Sequence, residues 1–325
     1  MVNQPQRIAT ITLNPAIDQT VSIPNFQAGQ VNRVTEAQSD PGGKGVNVAS
    51  FLADFGMEVS VSGFLGEENT HLFERLFAQK GIHDRFVRIP GSTRIGIKII
   101  DEVNRQTTDV NFPGLAPRPD DIEALFRVVD ELAESCEWFV LSGSIPAGVP
   151  QDIYQRLVVS IKTRGNLVAL DTSGKGLLQA LSVKPDLVKP NVYELEEVME
   201  RSLNSPELIE QAAGELNQQG IETVVVSMGE KGAVFVQSGE IFLAQPPQVA
   251  VKSTVGAGDA MIAGMVAGLI QGNSLADCAR LATAFSISAI TRVGSGLPPL
   301  KTIQSYMKKV TIKSLKRSNL NRKGA

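Results

Sequence analysis

The feature of this sequence that most restricts its fold is a regular alternation between short apolar runs and longer segments of helical periodicity. The runs LVAL and VVVS, at residues 167–170 and 224–227, are apolar almost throughout. Because they have no polar face, they suit strands that are buried on both sides, as in a parallel sheet covered by helices. The alternation therefore predicts an α/β protein with three α/β/α layers around a doubly wound, mainly parallel sheet.

These patterns assign the individual elements along the chain. The predicted strands are Ile8–Leu13, Val59–Phe64, Ile95–Asp101, Trp138–Ser142, Leu167–Asp171, Asp186–Lys189 and Thr223–Ser227. The predicted helices are Asn47–Phe55, His71–Gln79, Ile122–Glu134, Ile153–Arg164, Ser205–Gln219, Ala260–Ile270 and Leu275–Thr291. Glycine follows several of these helices within two residues, which is a usual signal for a helix to stop.

Two segments, residues 15–38 and 91–113, interrupt this alternation. They are polar and carry apolar residues at every second position, as at Ile95, Ile97 and Ile99, with no helix between them. This period is typical of strands with one solvated face. We therefore expect a small β-sheet that lies as a lid over the mouth of the main sheet.

The lid and the main sheet are expected to form one domain over residues 1–307, followed by a tail over residues 308–325. The tail carries only basic charges: Lys308, Lys309, Lys313, Lys316, Arg317, Arg322 and Lys323. No aromatic residue follows Tyr306 that could stack on a base. A flexible, solvated C-terminus is expected, with no nucleic-acid partner.

The scarcity of cysteine and histidine excludes several kinds of chemistry. Cys136 and Cys278 lie too far apart for a CxxC metal site, and two thiols cannot build a disulfide framework. His71 and His83 form neither an HExxH motif nor a cluster suited to zinc. Glycine, in contrast, occurs 29 times. The chemistry is therefore expected to depend on backbone amides and on side chains other than imidazole and thiolate.

The sequence predicts a cytoplasmic protein without a membrane partner. The N-terminal segment MVNQPQRIATITLNP is polar and lacks the apolar stretch of a signal peptide. The longest apolar run, Ala260–Ile270, spans 11 residues, whereas a transmembrane helix needs about 20. A buried helix is the expected structure of this run.

The strongest chemical motif is STVGAGD at residues 253–259, which leads directly into that apolar run. Gly256, Ala257 and Gly258 leave the first backbone N–H groups of the helix uncovered, and the helix dipole adds partial positive charge, so a phosphate can bind there. Asp259 can act as a helix cap. A carboxylate beside a phosphate cradle is better explained as the base that takes a proton from an attacking hydroxyl.

A second glycine cluster, PGGKGVN at residues 41–47, opens another predicted helix. Gly42 and Gly43 allow a ligand to approach the backbone closely. Lys44 and Asn47 add a cation and an amide, which suit a phosphorylated, polyhydroxylated ligand. A flexible turn in front of a helix is the alternative interpretation.

GGKGVNVA and STVGAGDAM together resemble the two signatures of the ribokinase-like carbohydrate kinases of the phosphofructokinase B group. The resemblance covers the chain from about residue 8 to residue 300 and includes ITLNPAID at residues 11–18 and TDVNFPG at residues 108–114. It implies a ribokinase-like fold with a small β-sheet lid and a homodimer in which the lids meet. It also implies ATP as co-substrate and Mg²⁺ as cofactor, and it admits K⁺ as a second cation.

The resemblance further implies roles for individual residues. Around the sugar phosphate it places Asp18, Gly42, Gly43, Lys44, Asn47, Arg94 and Ser144, with Asp18 on the sugar hydroxyls. Around ATP it places Lys189, Asn191, Ser227, Met228, Gly229, Glu230, Lys231, Gly232, Gly258 and Asp259. Glu194 is implied to organise Mg²⁺ through water, although Asn191 and Glu194 also match a capping box. For Asp18, an Asx turn is the alternative interpretation.

The reaction that the resemblance implies is phosphorylation of the 6-hydroxyl of fructose 1-phosphate to give fructose 1,6-bisphosphate. Asp259 would be the base, and the amides of Gly256, Ala257 and Gly258 would form the anion hole. Some related kinases of fructose 6-phosphate carry a basic residue near position 30, where this chain has Gln30.

Alternative substrates and an alternative class of function stay open. Tagatose 6-phosphate and fructose 6-phosphate are the other candidate substrates, because selection depends on where Lys44, Arg94 and Asn111 point. A sugar-phosphate sensor without turnover would also use the glycine loops. Such a sensor does not explain an intact Asp259 accompanied by Glu194.

Overall fold

The computed structural model describes residues 7–292, 294 and 296–315. Its strands are β1 Arg7–Thr12, β2 Ala16–Ser22, β3 Glu36–Gly42, β4 Glu58–Gly66, β5 His83–Asp84, β6 Val87–Ile89, β7 Ile95–Asp101, β8 Gln106–Asn111, β9 Cys136–Ser142, β10 Leu167–Asp171, β11 Leu187–Val188, β12 Thr223–Ser227, β13 Ala233–Gln237, β14 Glu240–Gln245 and β15 Thr311–Ser314. Its helices are α1 Lys44–Asp54, α2 His71–Lys80, α3 Pro119–Ala133, α4 Ile153–Thr163, α5 Gly174–Leu181, α6 Val192–Met199, α7 Pro206–Gln218, α8 Ala257–Ile270, α9 Leu275–Ile290 and α10 Leu300–Lys309.

The large sheet has the strand order β15-β14-β13-β12-β11-β10-β9-β1-β4-β5, and β6 pairs with the end of β4. Pairing is parallel from β12 through β1 to β5. It becomes antiparallel from β12 to β15. The prediction of a mainly parallel sheet is confirmed, and the antiparallel part lies at one edge.

Helices cover both faces of this sheet, which gives the predicted three layers. One face packs against α1, α2, α8, α9 and α10, and the other packs against α3 to α7. Neighbouring residues of one strand enter opposite cores, as Val140 and Leu141 of β9 do. Both are fully buried. This arrangement explains why the central strands read as continuous apolar runs.

The two segments that interrupt the alternation of strands and helices form a separate sheet. Strands β3, β2, β7 and β8, in that order, form a small second sheet. Its first part, residues 16–42, extends to Gly42 and therefore beyond the predicted limit at residue 38. Asp101 organises one end of this sheet, because its carboxylate accepts the backbone N–H groups of Asn25 and Phe26.

The predicted boundary of the C-terminal tail is wrong. Lys308 and Lys309 form the last turn of α10, and Thr311–Ser314 pairs with β14 at the edge of the large sheet. The apolar side chains of Val310 and Ile312 pack against the core on the α8 and α9 side. Their burial holds this segment in place, although its charges suggest a solvated end. Residues 316–325 lie outside the described residues.

The boundaries of α8 also differ from the prediction in a way that concerns the site. The structure starts this helix at Ala257, one turn before the predicted start at Ala260. It is buried on nearly every side between α1 and α9. Within the described part of the chain, no helix is both long enough and apolar enough to cross a bilayer.

Glycines allow α8 and α9 to approach closely. A Cβ atom on Gly264 would lie 2.8 Å from the Cα atom of Ala282, which is backbone and cannot move aside easily. A Cβ atom on Gly268 would lie 2.9 Å from the Sγ atom of Cys278. The position of α8 is therefore set by backbone contact with its neighbour.

We expect Gly264→Ala to destabilise the protein. Overpacking of a core costs about 1–3 kcal/mol, which exceeds the gain of roughly 0.5–1 kcal/mol in helix propensity. Gly214→Ala in α7 is the matched control, because its Cβ atom would have no neighbour within 4 Å. Urea unfolding should show a lower free energy of unfolding for Gly264→Ala and an unchanged or higher one for Gly214→Ala. Equal effects of the two substitutions would contradict this account of the helix contact.

Candidate active site

The first turn of α8 presents unpaired backbone N–H groups. Gly256 is the N-cap residue and adopts a left-handed conformation with φ 79°, which glycine tolerates best. No side chain of the described residues caps this helix start. The amides of Ala257, Gly258 and Asp259 are therefore available to an anion, and the dipole of a helix of 14 residues favours negative charge there. This set lies one residue beyond the predicted one of Gly256, Ala257 and Gly258, because the helix begins at Ala257.

Asp259 lies in this first turn, and its side chain is only 6% exposed. Its Oδ2 atom accepts a hydrogen bond of 2.9 Å from Nδ2 of Asn47, which comes from α1. Burial raises the pKa of Asp259 to about 6, and the nearby carboxylate of Asp171 acts in the same direction. A carboxyl group with this pKa is ionised at neutral pH and can still accept a proton, as a general base must.

The equivalent position of the next helix has a different environment. Asp277 is the third residue of α9, just as Asp259 is the third residue of α8. Its carboxylate accepts the hydroxyl of Ser274 at 2.8 Å, and Ser274 caps the helix. Asp277 therefore completes a helix start, whereas Asp259 contacts a side chain from another element.

Two lysines meet a second buried carboxylate, Asp171, beside the start of α8. Lys44 Nζ lies 3.2 Å and Lys189 Nζ lies 3.3 Å from Oδ1 of Asp171, which ends β10. Burial alone would lower the pKa of Lys44, but the carboxylates of Asp171, Asp259 and Glu194 together hold the pKa above its ordinary value. A Cβ atom on Gly258 would lie 3.2 Å from Lys189 Nζ. Positive charge therefore borders the uncapped amides.

The two loops assigned to ATP lie next to each other at the carboxyl ends of β11 and β12. A parallel bridge joins Asn191 to Ser227, and Ser227 N donates to the carbonyl of Pro190 at 3.1 Å. Residues 228–232 form a tight turn in which Met228 N donates to the carbonyl of Gly232 at 2.8 Å. Gly232 has φ 95°, and a Cβ atom there would lie 1.9 Å from the carbonyl oxygen of Ala244. This turn therefore requires glycine.

Asp18 lies on the inner face of the small sheet, in register with Asp40 and Gly96. A Cβ atom on Gly42 would lie 2.1 Å from Asp18 Oδ2, and one on Gly96 would lie 3.2 Å from Asp18 Oδ1. The glycines thus leave room around this carboxylate. Burial raises the pKa of Asp18 in spite of the opposing charges of Arg94 and Lys98.

Asn14 connects two further residues of the predicted sugar site. Its Nδ2 atom donates to Ser144 Oγ at 3.0 Å. Its backbone carbonyl accepts a longer hydrogen bond of 3.4 Å from Arg94 Nη2. The Nε atom of Arg94 is buried without a partner among the described residues. This guanidinium therefore keeps donor capacity for a ligand.

An open cleft of about 510 Å³ separates the small sheet from the start of α8. One wall is the inner face of the sheet, with Asp18, Lys98 and Asn111. The other wall includes Asn47 and the segment 252–256. The cleft is large enough for a phosphorylated sugar between the two walls.

The structure therefore brings the residues predicted from the two glycine motifs into one region. Asn47 contacts Asp259 directly, and Lys44 and Lys189 are connected through Asp171. No sequence pattern assigns a role to Asp171, Asn14 or Lys98. Asp171 is the last residue of a predicted parallel strand, and α/β proteins bind ligands at the carboxyl ends of such strands. That position is a signal that could have identified it.

Glu194 and Asn191 form the predicted capping box. Asn191 Oδ1 accepts the N–H of Glu194 at 2.9 Å, and Glu194 Oε2 accepts the N–H of Asn191 at 2.8 Å. The cap uses one carboxylate oxygen, so the other can still hold a metal-bound water. Among the described residues, no group of three or more acidic, histidine or cysteine side chains could hold a metal ion alone. The residues fit a Mg²⁺ ion carried mainly by phosphate oxygens.

Comparison with known proteins agrees with this arrangement. Residues 10–303 match the model of the pfkB family carbohydrate kinases. The 1-phosphofructokinase of Rhodobacter capsulatus is 48% identical over 310 residues, which cover 95% of this chain and 98% of that protein.

Solved structures show the same fold. A possible 1-phosphofructokinase from Thermotoga maritima has a TM-score of 0.87 at 29% identity, and the match covers 96% of this chain and 100% of that one. Phosphofructokinase-2 from Escherichia coli in complex with potassium has a TM-score of 0.85 at 30% identity, over 93% of this chain and 98% of that one. Its tetrameric inhibited form has a TM-score of 0.86 at the same identity and coverage.

The uncapped helix start, its buried aspartate and the adjacent lysines occur within a region matched almost from end to end by the family model. The chain belongs to the pfkB family of carbohydrate kinases.

Proposed function

We propose that this protein is an ATP- and Mg²⁺-dependent 1-phosphofructokinase. It transfers phosphate to the 6-hydroxyl of fructose 1-phosphate and forms fructose 1,6-bisphosphate. The observation that carries the proposal is the buried carboxylate of Asp259 in the uncapped first turn of α8. The name of the R. capsulatus relative supports the choice of sugar.

Asp259 acts as the general base. Its carboxylate removes the proton of the sugar hydroxyl as that oxygen attacks the terminal phosphorus of ATP. Asn47 keeps the carboxylate oriented through the hydrogen bond of 2.9 Å. A positioned base is worth about 10²–10⁴-fold in rate.

The backbone amides of Ala257, Gly258 and Asp259 stabilise the charge on the transferring phosphate. They are fixed by the helix before the substrate binds, so they need no reorganisation during the reaction. Lys189 adds a positive charge beside Gly258, because a Cβ atom built on that glycine would lie 3.2 Å from its ammonium nitrogen. Mg²⁺, when bound, neutralises ATP phosphate charge, and Glu194 with Asn191 would hold it through water.

The phosphate already present on the sugar is bound on the lid side of the cleft. Lys98 lines the cleft on the inner face of the small sheet. Arg94 lines a separate small cavity beside Asn14, directly before β7 of this sheet, and its buried Nε atom has no partner among the described residues. The ammonium group of Lys98 pairs with Asp109 at 2.9 Å on this sheet, whereas that of Lys44 pairs with Asp171 near the start of α8. We therefore assign Lys44 to the transferred phosphate and Arg94 with Lys98 to the phosphate of the sugar.

The small sheet serves as a lid and as a dimer contact in this proposal. Ile95, Val110 and Phe112 are apolar and exposed on or beside its strands, and covering them with the lid of a second copy would remove apolar surface from water. The tetrameric form of the E. coli relative supports self-association in the family.

The potassium complex of the E. coli relative supports K⁺ as a second cation, for which no residue of this chain is assigned. A cytoplasmic location stays a prediction.

We expect Asp259→Asn to lower kcat by about 10²–10⁴-fold, while ATP and sugar phosphate still bind. Asp277→Asn is the matched control, because this aspartate occupies the same position of its helix but has only a local role. Release of ADP measures turnover, and calorimetry measures binding. Near-normal turnover of Asp259→Asn would refute the assignment of the base.

The rate should depend on the ionisation of Asp259. Because the base must be deprotonated, kcat/KM for the sugar should be constant above the pKa of about 6 and fall about tenfold per pH unit below it. The phosphate of the substrate titrates in the same range. The pH profile of the residual activity of Asp259→Asn distinguishes the titration of Asp259 from that of the substrate phosphate, because only the substrate titrates in that variant. The same pH profile of kcat/KM in the unmodified protein and in Asp259→Asn would contradict this role of Asp259.

Comparison of three sugars tests the substrate. We expect kcat/KM for fructose 1-phosphate to exceed the values for fructose 6-phosphate and tagatose 6-phosphate under identical ATP and Mg²⁺. Unphosphorylated fructose serves as the control for the contribution of the sugar phosphate. A higher value for either of the other two phosphates would replace the proposed substrate, and absence of ADP release with all of them would favour a sensor.

A further inference from the structure

Asp171 is the most buried charged group in the region of the site. Its side chain is 1% exposed, and a single oxygen, Oδ1, meets the ammonium groups of Lys44 and Lys189 at 3.2 and 3.3 Å. Its second oxygen, Oδ2, is buried and has no hydrogen-bond partner among the described residues. Neither the motifs of the sequence nor the reaction derived above assigns a role to this residue.

A purely structural role does not account well for this cluster. Taking charges out of water costs several kcal/mol per ion, and buried ion pairs are often no more stabilising than apolar residues of the same size. Here a single carboxylate oxygen meets both ammonium groups, and the side chain of Lys44 is still 40% exposed. The ionised carboxylates of Asp171 and Asp259 balance the two ammonium groups, so the pairing with Asp171 is better explained by the direction in which it holds the lysines than by a gain in stability.

The two lysines come from different parts of the chain. Lys44 is the first residue of α1, and Lys189 follows β11. Asp171 ends β10, which pairs with β11. Asp171 thus connects the two ammonium groups. They lie near the start of α8, since a Cβ atom built on Gly258 would lie 3.2 Å from Lys189 Nζ.

We propose that Asp171 is a positioning residue, which holds the ammonium groups of Lys44 and Lys189 toward the phosphate bound at the start of α8. This inference rests on the proposed function of the site. Asp171 contacts neither substrate itself. It fixes the two cations before ATP arrives, so that their charge is available without reorganisation.

The electrostatic coupling among these groups gives the inference a second readout. Asp259 is faced by Asp171, which raises its pKa, and by Lys44, Asn47 and Lys189, which lower it. Burial disfavours the charge of Asp171, but Lys189 and Lys44 hold its pKa below the ordinary value. Asp171 is therefore ionised when Asp259 titrates, and its removal lowers the pKa of Asp259.

Asp171→Asn keeps the shape of the side chain and removes its charge. We expect kcat/KM for ATP to fall on the order of 10–100-fold, by analogy with the loss of partners that orient metal ligands. The acidic limb of the pH profile should also move to lower pH, because Asp259 loses a negative neighbour. A role limited to stability would reduce the amount of folded protein and leave kcat/KM for ATP of the folded fraction unchanged.

Asp186→Asn is the matched control. Asp186 also pairs with a lysine at a strand of the large sheet, with Lys162 Nζ at 2.8 Å, but it lies outside the site. Its substitution should affect stability and leave the acidic limb in place. If Asp171→Asn does not fold, the double variant Asp171→Asn with Lys44→Gln removes one charge of each sign. Its acidic limb should shift in the same direction but by less, because the loss of Lys44 offsets part of the effect of losing Asp171, which is the larger of the two.

An unchanged kcat/KM for ATP and an unchanged acidic limb in Asp171→Asn would overturn the inference, while the proposed function would stand. Absence of fructose 1-phosphate turnover in the unmodified protein would instead refute the proposed function. In that case the dissociation constant of ATP, measured by calorimetry, still tests Asp171. A value that does not rise in Asp171→Asn would overturn the inference.

Discussion

The uncapped start of a buried helix is the constraint on which the rest of this structure depends. Helix α8 is apolar on nearly every side, so it can only exist inside the protein, between α1 and α9. Its first amides nevertheless need partners, and no side chain of the described residues supplies one. The fold therefore keeps a position for an anion at the N-terminal end of this buried helix.

The charges around this helix start follow from that position. A phosphate must be attracted, yet Asp259 and Asp171 place two carboxylates at the same point. Lys44 and Lys189 offset them, and Asn47 gives the base a neutral hydrogen-bond partner. The result is a site in which each carboxylate has a different environment. Asp171 is paired and stays ionised, whereas Asp259 has a raised pKa and can exchange a proton.

The sequence predicts the layers of the fold and the local motifs well, because both depend on short-range patterns. Continuous apolar strands, the glycines at residues 42–43 and 256–258 and the capping box at Asn191 are all visible in the chain. The partnership between Asp171 and the two lysines could not be predicted from residue patterns alone. It joins residues 127 positions apart, and only the order of the strands brings them together.

The same limit explains the error at the C-terminus. The charges of residues 308–315 suggest a solvated tail, while Val310 and Ile312 are isolated apolar residues in the sequence. Their burial depends on β14, which precedes them by more than sixty residues and was itself not predicted. Local composition therefore predicted exposure, and the tertiary contact determined the structure.

The pairing of β15 with β14 has a consequence for how the protein behaves in solution. A strand at the edge of a sheet offers unpaired backbone groups to any other chain, and proteins protect such edges with short strands and lysines. β15 is short and carries Lys313, so it closes the antiparallel edge of the large sheet. A truncation or a fusion that removes β15 exposes the backbone groups of β14 and makes this edge of the large sheet a site for aggregation.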